Sequence, residues 1–486
     1  MSPLAIGAIA FYVVLLLLML AYGTNTVLLV VVHALNRHRA RPAPPPPDPA
    51  PRVTVQLPVY NEENVVVRLL EAVGNLDWPA DRLEIQLLDD STDRTPEVAA
   101  PVVERLRARG LDVTHLRRHS RTEYKAGALK HGMARCKGEF IAIFDADFAP
   151  TPEFLHQALG RFADPKVAAV QGRWTHLNRE HSGLTRAEAL AIDGHFGVEQ
   201  AARYWAGWFL NFNGSAGVWR RSAIEDAGGW SGDTLTEDLD LSYRVQLAGW
   251  TMVYDPDLVC PSELPVDLAA FKAQQRRWAT GSMQTARKLL PSIWRSGASV
   301  VAKVQATLHL THYAVHLLIA LTALLSVPCV LFPGASVAPR SLWALLLPFA
   351  LAMSGPTVLH IYAQRVLEGR NVRFRDLGLL TLFGIGIAVS NGRAVLEAFR
   401  GSGGEFVRTP KLGIVSKADR PATRYRVGSD GLLGLETGLA LYCMAASLGL
   451  AWVGVYEIAP FMMLDAAGFA AVALVGHSEA RAAYQG

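Results

Sequence analysis

Two short motifs in the middle of the sequence combine an acid, cations and an aromatic ring. The first, TED at Thr236–Asp238, places the carboxylate of Asp238 at the start of a predicted helix. The second, QQRRW at Gln274–Trp278, supplies guanidinium groups and an indole. Guanidinium forks match phosphate oxygens, and an aromatic face stacks on ring-shaped groups. Together the motifs predict a site for a phosphate-bearing, ring-shaped substrate, although a helix cap and a membrane-interface helix would explain them separately.

Two acidic clusters lie earlier in the chain. Asp145 and Asp147 flank a single alanine, a spacing that lets both carboxylates approach one hard cation while water and phosphate oxygens complete its shell. An ordinary acidic loop would have the same sequence. Asp89 and Asp90 open the second cluster, whose side chains would either bind a ligand or cap the next helix.

Small residues at Asn211–Gly217, which reads NFNGSAG, predict a close approach between a substrate and the backbone. Glycine leaves room for such an approach and accepts backbone conformations that other residues avoid. A plain tight turn explains this stretch equally well.

Alternating strands and helices must hold these motifs in place. Strand patterns cover Val53–Leu57, Leu83–Leu88, the region near Val113 and Phe140–Phe144, with helical patterns between them. This alternation is typical of an α/β fold around a mostly parallel sheet. In such sheets ligands bind beyond the carboxyl ends of the strands, where both acidic clusters fall.

The composition indicates a membrane protein. Of the 486 residues, 51% are hydrophobic and only 19% are charged, which argues against a purely soluble chain. The uncharged apolar run Leu4–Val32 is long enough to cross a bilayer, and basic residues follow it. Because basic residues mark the cytoplasmic side, we expect a retained anchor with its N-terminus outside; a cleaved secretory signal is the alternative.

Further apolar segments follow the QQRRW motif. The segments Ala306–Phe332, Leu342–Tyr362, Leu432–Val453 and Ile458–Val475 are predicted to span the membrane. Gly378–Phe399 is less apolar and has basic residues on both flanks, so that a crossing would leave one basic flank outside. We therefore expect it to be an amphipathic helix on the cytoplasmic face.

The predicted domain organisation has four parts. These are a transmembrane anchor at residues 1–42, a proline-rich linker at 43–51, a cytoplasmic α/β domain at 52–300 and a membrane region at 301–486. Within the membrane region, residues 376–400 are the interface helix and residues 401–425 a loop.

Cysteines and net charge add little chemistry. The 4 cysteines are scattered without metal-ligand spacing, and we expect them to be reduced and mostly buried. The formal net charge of +4 is small, and basic residues cluster near predicted membrane ends. The charge therefore indicates topology, and we expect no nucleic-acid partner.

Taken in order, the Asp89-Asp90, Asp145-Ala146-Asp147, TED and QQRRW motifs resemble those of the family 2 glycosyltransferases. The processive branch is the most similar, with cellulose synthase and the cellulose-synthase-like mannan and glucan synthases. The resemblance covers Val53–Trp278 and, more loosely, the membrane region. It implies a GT-A fold, a nucleotide-sugar donor such as UDP-glucose or GDP-mannose, a polysaccharide acceptor and a divalent cation, Mg²⁺ or Mn²⁺.

The roles of the family's residues carry over where the motifs match. The resemblance implies that Asp238 is the general base and that Asp145 and Asp147 bind the metal. It implies donor-binding roles for Tyr60, Glu62, Asp90, Lys125, Asp145, Gln274 and Arg277. It implies acceptor-binding roles for Phe212, Asn213, Gly214, Ser215 and Trp278. Inversion at the sugar needs one base and a stabilised diphosphate, but no nucleophilic carboxylate.

Glu405–Lys411 is similar to the gating loop of cellulose synthase, which covers the nucleotide pocket when substrate is bound. Phe406, Thr409 and Lys411 fall at that family's spacing, whereas Arg408 stands where the family usually has valine. A basic juxtamembrane loop is the alternative.

The sequence therefore predicts a multi-pass enzyme, expected in a bacterial inner membrane, that adds hexoses to a β-linked polysaccharide and threads the polymer through its own spans. A single transfer to a membrane lipid, as in ceramide glucosyltransferases, is the first alternative. An inactive membrane scaffold is the second. None of the motifs encodes the donor sugar, its nucleotide or the linkage.

Overall fold

The computed structural model describes residues 3–331, 339–369, 371–400, 408–416, 419 and 431–484. Within them, seven strands form one sheet in the order β3-β2-β1-β4-β6-β5-β7. The strands are β1 (Val53–Val59), β2 (Leu83–Asp89), β3 (Asp112–Arg117), β4 (Phe140–Ile143), β5 (Val167–His176), β6 (Gly217–Arg220) and β7 (Thr251–Ser262). Neighbouring strands are parallel except at β6, which is antiparallel to β4 and β5. The predicted α/β fold with a mostly parallel sheet is confirmed.

Helices cover both faces of the sheet and continue into the apolar C-terminal part. The first group is α1 (Pro3–Asn36), α2 (Val66–Gly74), α3 (Thr95–Ala108), α4 (Tyr124–Met133), α5 (Phe154–Gly160), α6 (Gly183–Gly194), α7 (Ala201–Trp205), α8 (Arg221–Asp226), α9 (Glu237–Leu247) and α10 (Leu268–Arg295). The second group is α11 (Val300–Leu310), α12 (Ala314–Leu331), α13 (Pro339–Glu368), α14 (Phe374–Gly386), α15 (Ala388–Arg400), α16 (Leu433–Trp452) and α17 (Ala459–Tyr484). Short 3₁₀ turns lie at Arg37–Arg39, Ala80–Arg82 and Arg161–Ala163. Helices α6 and α7 are joined by the π-helical residues His195–Gln200.

Strands β1 and β2 are buried on both faces, which the alternating sequence of β1 does not suggest. Thr54 and Gln56 are fully buried, and they donate to Glu84 and Gln86 of β2 over 2.6 and 3.0 Å. Helix α4 covers this face, since a Cβ on Gly132 would come 2.5 Å from Gln56 Nε2. Helices cover both sides of a parallel sheet, so the polar residues of β1 face a second buried layer instead of solvent.

Helix α10 carries the QQRRW motif and packs against the start of α9, where the TED motif lies. A Cβ on Gly281 would come 2.7 Å from Thr236 Oγ1 and 2.8 Å from the Thr236 backbone nitrogen. The backbone N–H of Leu235 donates to Gln284 Oε1 over 2.9 Å. This close helix contact, which leaves no room for a side chain at Gly281, sets the two motifs beside each other.

Replacing Gly281 by alanine should therefore destabilise the protein, although alanine is normally the better helix residue by about 0.5–1 kcal/mol. The added methyl group must displace the backbone at Thr236, and overpacking of this kind costs about 1–3 kcal/mol. Thermal unfolding of the detergent-solubilised protein measures the effect. Gly378→Ala in α14 is the control, because a Cβ there meets no atom within 4 Å. An unchanged unfolding midpoint for Gly281→Ala would contradict this packing.

Several helices could cross a membrane. Over the described parts of the chain, 3 helices are long and apolar enough by length and composition: Ile6–Arg39, Leu433–Trp452 and Ala459–Arg481. The number rises to 5 if α11 with α12, bent by 66°, and α14 with α15, bent by 43°, each form one broken span. The predicted span Leu342–Tyr362 falls within α13, which packs along α1 so closely that a Cβ on Gly355 would come 2.4 Å from the carbonyl oxygen of Gly23.

The stretch predicted to be one interface helix is two helices, α14 and α15, with a bend at Ile387. Helix α15 lies along α10, where Glu397 accepts from Arg276 over 2.7 Å. Ala394 and Val395 pack with the neighbouring Trp278. The location of this stretch on the cytoplasmic face stays a prediction, but its contact with the QQRRW motif is clear.

Candidate active site

The predicted site residues converge on one pocket at the carboxyl ends of β1, β2 and β4. Its walls are completed by α4, the loop before β6, the start of α9, one face of α10 and the segment 408–411. The sequence-predicted residues that line it are Tyr60, Glu62, Asp90, Lys125, Asp145, Asp147, Asn213, Gly214, Asp238, Gln274, Arg277, Trp278, Thr409 and Lys411. Residues far apart in sequence thus meet at one edge of the sheet, as expected for an α/β fold.

Two predicted residues, Phe212 and Ser215, do not line the pocket within the described structure. Phe212 is fully buried, with its ring packed edge-on against Trp219 at 5.2 Å between centroids. The Ser215 hydroxyl accepts the backbone N–H of Asp145 over 2.9 Å. Both side chains stabilise the loop before β6 from the interior of the protein, because an apolar ring is favoured in the core and a buried hydroxyl needs a hydrogen-bond partner. Phe406 lies outside the described residues.

Aromatic rings, cations and a carboxylate form one end of the pocket, beyond β1 and β2. The Arg121 guanidinium lies 3.4 Å from the centroid of the Tyr60 ring, a cation–π contact. Both carboxylate oxygens of Asp90 accept from Arg118, one of them from Nε over 2.8 Å. Stacking surfaces beside charged hydrogen-bonding groups suit a nucleobase and its ribose.

Lys125 links the acidic motifs. Its ammonium group lies 2.6 Å from Asp145 Oδ1 and 3.7 Å from Glu237 Oε1, and it donates to the carbonyl oxygen of Gly214 over 2.8 Å. Burial alone would lower the pKa of Lys125, but the nearby carboxylates outweigh burial and raise it. The lysine therefore stays charged and ties the sheet edge to the loop at Gly214.

Asp145 and Asp147 have the chemistry of a divalent-cation site. Each carboxylate contacts an ammonium group, Lys125 on Asp145 and Lys411 on Asp147, over 2.6 and 2.9 Å. A hard cation could take the place of either ammonium, since both offer positive charge to the same oxygens. The described residues contain no cluster of three or more histidine, cysteine or acidic side chains suited to a metal. Two carboxylates with diphosphate and water oxygens are the set that Mg²⁺ commonly uses with nucleotides.

Asp238 lies in the first turn of α9 with its carboxylate in the pocket. The N-cap residue of α9 is Thr236, whose side chain makes no capping hydrogen bond. One Asp238 oxygen accepts the backbone N–H of Leu239 over 2.8 Å, so Asp238 also binds an N–H of the first turn. A Cβ on Gly214 would come 3.0 Å from Asp238 Oδ2. Burial and then Glu237 raise the pKa of Asp238 to about 7, against the opposing charge of Lys125. A carboxylate that ionises near neutral pH is suited to general-base catalysis.

Helix α10 presents Gln274, Arg277 and Trp278 on one face, because residues three and four apart are neighbours on a helix. Arg277 donates to Thr409 Oγ1 over 3.4 Å. Burial lowers the pKa of Arg277 despite the surrounding carboxylates, but a guanidinium remains charged at any ordinary pH. The adjacent Arg276 points away from the pocket to Glu397. Arg277 is therefore the cation that the QQRRW motif offers to a ligand.

The segment from Arg408 to Gly413 is docked in the pocket. Arg408 donates twice to Glu62, over 3.0 and 2.8 Å, and Lys411 pairs with Asp147. The backbone N–H groups of residues 412 and 413 donate to Glu263 Oε1 over 2.9 and 3.0 Å. Arg408, Thr409 and Lys411 are buried, which does not fit a solvated juxtamembrane loop. Arg408, where the sequence departs from the gating-loop pattern, has a carboxylate partner of its own.

Sequence reasoning missed several pocket residues. Arg121, Tyr124 and Glu237 line the pocket, and Arg118 holds Asp90. The signal that could have found Arg118 is its position just beyond β3, since strand ends point at the site. Glu188 on α6 does not line the pocket, but the charge of Lys411 acts on it; burial raises its pKa to about 8 despite that charge.

The family described as "Glycosyltransferase like family 2" matches residues 50–281. Glucomannan 4-beta-mannosyltransferase 2 of Arabidopsis thaliana is 42% identical over 249 residues, which are 50% of this chain and 47% of the relative. Glucomannan 4-beta-mannosyltransferase 9 of the same plant is 32% identical over 446 residues, covering 87% of this chain and 81% of the relative. The chain spans about half the length of the first of these relatives and most of the second.

A solved structure has the same fold. The mannosyltransferase PcManGT from Pyrobaculum calidifontis, in complex with GDP-Man and Mn²⁺, aligns with a TM-score of 0.51 and 24% identity. The alignment covers 74% of this chain and 100% of that chain. At this identity the likeness shows a shared fold.

Proposed function

This chain belongs to the family 2 glycosyltransferases, and we propose that it transfers mannosyl units from GDP-mannose to a growing β-linked polysaccharide. The observation that carries the proposal is the meeting of Asp238, the Asp145 and Asp147 pair, and Arg277 in one pocket. The sequence leaves UDP-glucose and GDP-mannose open as donors. The named mannosyltransferase activity of relatives that align over most of the chain favours GDP-mannose.

In the proposed reaction the acceptor hydroxyl attacks the anomeric carbon of the donor sugar while the bond to the diphosphate breaks. Asp238 accepts the proton of that hydroxyl, which a base ionised near neutral pH can do. Arg277 and Lys125 offset the charge that develops on the departing diphosphate. A divalent cation held by Asp145 and Asp147 would supply Lewis-acid stabilisation of the same diphosphate. One displacement with one base inverts the configuration of the sugar.

Buried polar groups beside the pocket support passage of a carbohydrate into the membrane region. Within the described structure, Ser390 Oγ, both side-chain atoms of Asn391 and His316 Nδ1 are buried without a hydrogen-bond partner. Such groups are rare in folded proteins because they lose their bonds to water. Sugar hydroxyls would satisfy them, and α15, which carries two of them, packs beside Trp278. We propose that the growing polymer enters the membrane region beside these buried polar groups.

The proposed topology is a multi-pass membrane protein with the catalytic domain on the cytoplasmic side. The apolar helices described above support membrane insertion. The basic residues after the first apolar run support the orientation. The relatives described above are from plants, so they lend no support to a bacterial inner membrane.

We propose that the docked segment 408–416 gates the pocket and that Lys411 holds it closed. Replacing Lys411 by alanine removes one partner of a buried ion pair, a change that typically costs about 3–5 kcal/mol. Hydrogen exchange at the backbone amides of Leu412 and Gly413, which donate to Glu263, should then become at least about ten-fold faster.

The surface variant Lys166→Ala is the control for this experiment, since Lys166 is exposed. Lys411→Arg keeps the charge and should restore part of the protection. If hydrogen-exchange protection at residues 412 and 413 is unchanged in Lys411→Ala, Lys411 does not hold the segment in place.

The proposed function is tested by a product assay on the purified protein in detergent. GDP-mannose and UDP-glucose are offered separately with Mg²⁺ or Mn²⁺, and nucleotide release and product size are followed. A polymer made from GDP-mannose and degraded by a β-mannanase is the expected product. A polymer made only from UDP-glucose would overturn the donor. A small lipid-soluble product would show that the enzyme transfers a sugar to a lipid and does not synthesise a polymer.

A further inference from the structure

We propose that His195 and Gln200 are positioning residues that fix the side-chain orientation of Asn213 toward the acceptor sugar. The inference rests on the proposed function, because it takes the pocket wall at Asn213 as part of the acceptor site. Neither residue belongs to a motif that the sequence singled out. Both lie in the π-helical stretch between α6 and α7.

Asn213 is held by hydrogen bonds from three sides. Gln200 Nε2 donates to the Asn213 side-chain oxygen over 2.7 Å and to the backbone carbonyl of Asn211 over 2.8 Å. The Asn213 side-chain nitrogen lies 3.1 Å from His195 Nε2. The backbone N–H of Asn213 donates to Gln171 Oε1 over 2.8 Å. The amide group therefore has one preferred orientation in the pocket wall.

The backbone carbonyl of Asn211 determines which atom donates in each hydrogen bond between Gln200, Asn213 and His195. A backbone carbonyl can only accept, so the Gln200 atom beside it must be the amide nitrogen. The Asn213 atom that meets this nitrogen must then be its oxygen, which leaves the Asn213 nitrogen facing His195. Because that nitrogen can only donate, His195 Nε2 must accept, and the ring proton sits on Nδ1. Nδ1 lies 3.1 Å from Glu199 Oε2 and donates to it.

The π-helical turn explains how His195 and Gln200 reach the same side chain. In a regular α-helix, residues five apart point about 140° away from each other. A π turn hydrogen-bonds each residue to the fifth one along, which returns residues five apart to one side of the helix. Such bulges are frequent at functional sites, and this one aims both side chains at Asn213.

Asn213 stands next to the reacting groups. The carbonyl of the following Gly214 accepts from Lys125, and a Cβ on Gly214 would come 3.0 Å from Asp238 Oδ2. The amide of Asn213 keeps a second N–H and a second oxygen lone pair beyond the bonds described. A sugar hydroxyl both donates and accepts, so these two groups suit an acceptor sugar held against the base.

Glu199 fixes the tautomer of His195 from the other side of the ring. Burial would raise the pKa of Glu199, but its hydrogen bond to His195 and the charge of Arg203 outweigh burial and lower the pKa to about 2. Glu199 is therefore an ionised acceptor for Nδ1–H, which leaves Nε2 as the acceptor for the Asn213 amide.

The test measures how the full-length enzyme partitions its donor between β-1,4-mannotetraose and water. Labelled oligosaccharide and free labelled mannose are counted in the same reaction. His195→Ala should lower the ratio of transfer to hydrolysis by about ten-fold, the size expected when one buried donor loses its acceptor. His195→Gln, whose amide oxygen can accept from Asn213, should restore most of the wild-type ratio. Both products need the same base, so an effect on Asp238 cancels in the ratio.

The outcomes separate this proposal from the function on which it rests. Transfer and hydrolysis that fall together in His195→Ala, or a ratio that does not change, would overturn the positioning role. His156→Gln is the control, because His156 also pairs with a carboxylate, Asp77, but lies outside the pocket. If the wild-type enzyme uses UDP-glucose instead, the mannose assignment fails, and the same ratio measured with UDP-glucose and cellotetraose still decides the role of His195. If His195→Ala does not fold, the ratio in His195→Phe, which fills the space of the ring without offering an acceptor, decides it.

Discussion

Replacement of Asp238 by asparagine should reduce turnover by about 10²- to 10⁴-fold, the usual contribution of a positioned general base. Asparagine has almost the same shape but cannot accept the proton of the acceptor hydroxyl. The fold should survive, because the Asp238 oxygen that accepts the backbone N–H of Leu239 over 2.8 Å has an amide oxygen as its substitute. Nucleotide binding should survive as well, because the Tyr60 and Asp90 end of the pocket is unchanged.

The pH dependence follows from the raised pKa of Asp238. A base must be ionised to act, and a carboxyl group with a pKa of about 7 is half protonated at pH 7. Turnover by the wild-type enzyme should therefore fall as the pH drops through 7 and approach a loss of about ten-fold per further unit. Above pH 8, Asp238 is ionised and its titration no longer limits the rate.

Turnover of Asp238→Asn, and GDP binding by the same variant, are the measurements that check this role. Asp257→Asn is the control, since Asp257 is an exposed aspartate away from the pocket. Turnover by Asp238→Asn within a few-fold of wild type would remove Asp238 from the role of base. Loss of both turnover and GDP binding would indicate a structural defect instead.

Replacement of Arg277 by alanine should lower turnover by about 10²- to 10³-fold, as expected for loss of one preorganised group that stabilises developing charge. The guanidinium lies among the carboxylates of Asp145, Glu237 and Asp238, whose charges act on it. It is therefore placed where the diphosphate would depart. Arg277→Lys keeps the charge without the fork and should recover only part of the rate.

Arg276→Ala provides a matched control, because the two arginines are adjacent on α10 and only Arg277 lines the pocket. Arg276 pairs with Glu397 instead, with about a third of its side chain exposed. Steady-state rates at saturating donor, measured for both variants, check the assignment. Equal losses in Arg276→Ala and Arg277→Ala would show that the effect comes from helix α10 as a whole and not from a guanidinium in the pocket.

The sequence was sufficient to identify the groups that carry charge at strand and helix ends. Asp90, Asp145 and Asp147 were found because apolar strands end at known places and acidic residues follow them. The alternating sequence of β1, however, does not reveal that Thr54 and Gln56 face a second buried layer. A strand whose polar side chains are buried against other polar side chains has the same alternating sequence as a strand whose polar side chains face solvent. The sequence does not predict the bend between α14 and α15 either, because composition indicates how apolar a segment is but not the direction of its helix axis.

Local sequence by itself determined the family, the α/β alternation and most of the residues that the pocket brings together, since each of these depends on residue types at short spacing. Only the tertiary structure decided which neighbours those residues have. Arg118 with Asp90, Arg408 with Glu62 and His195 with Asn213 are pairs between residues 28, 346 and 18 positions apart in the sequence, which no short motif joins. The same is true of the pKa of Asp238, because burial by surrounding elements, which no local pattern encodes, is its main cause.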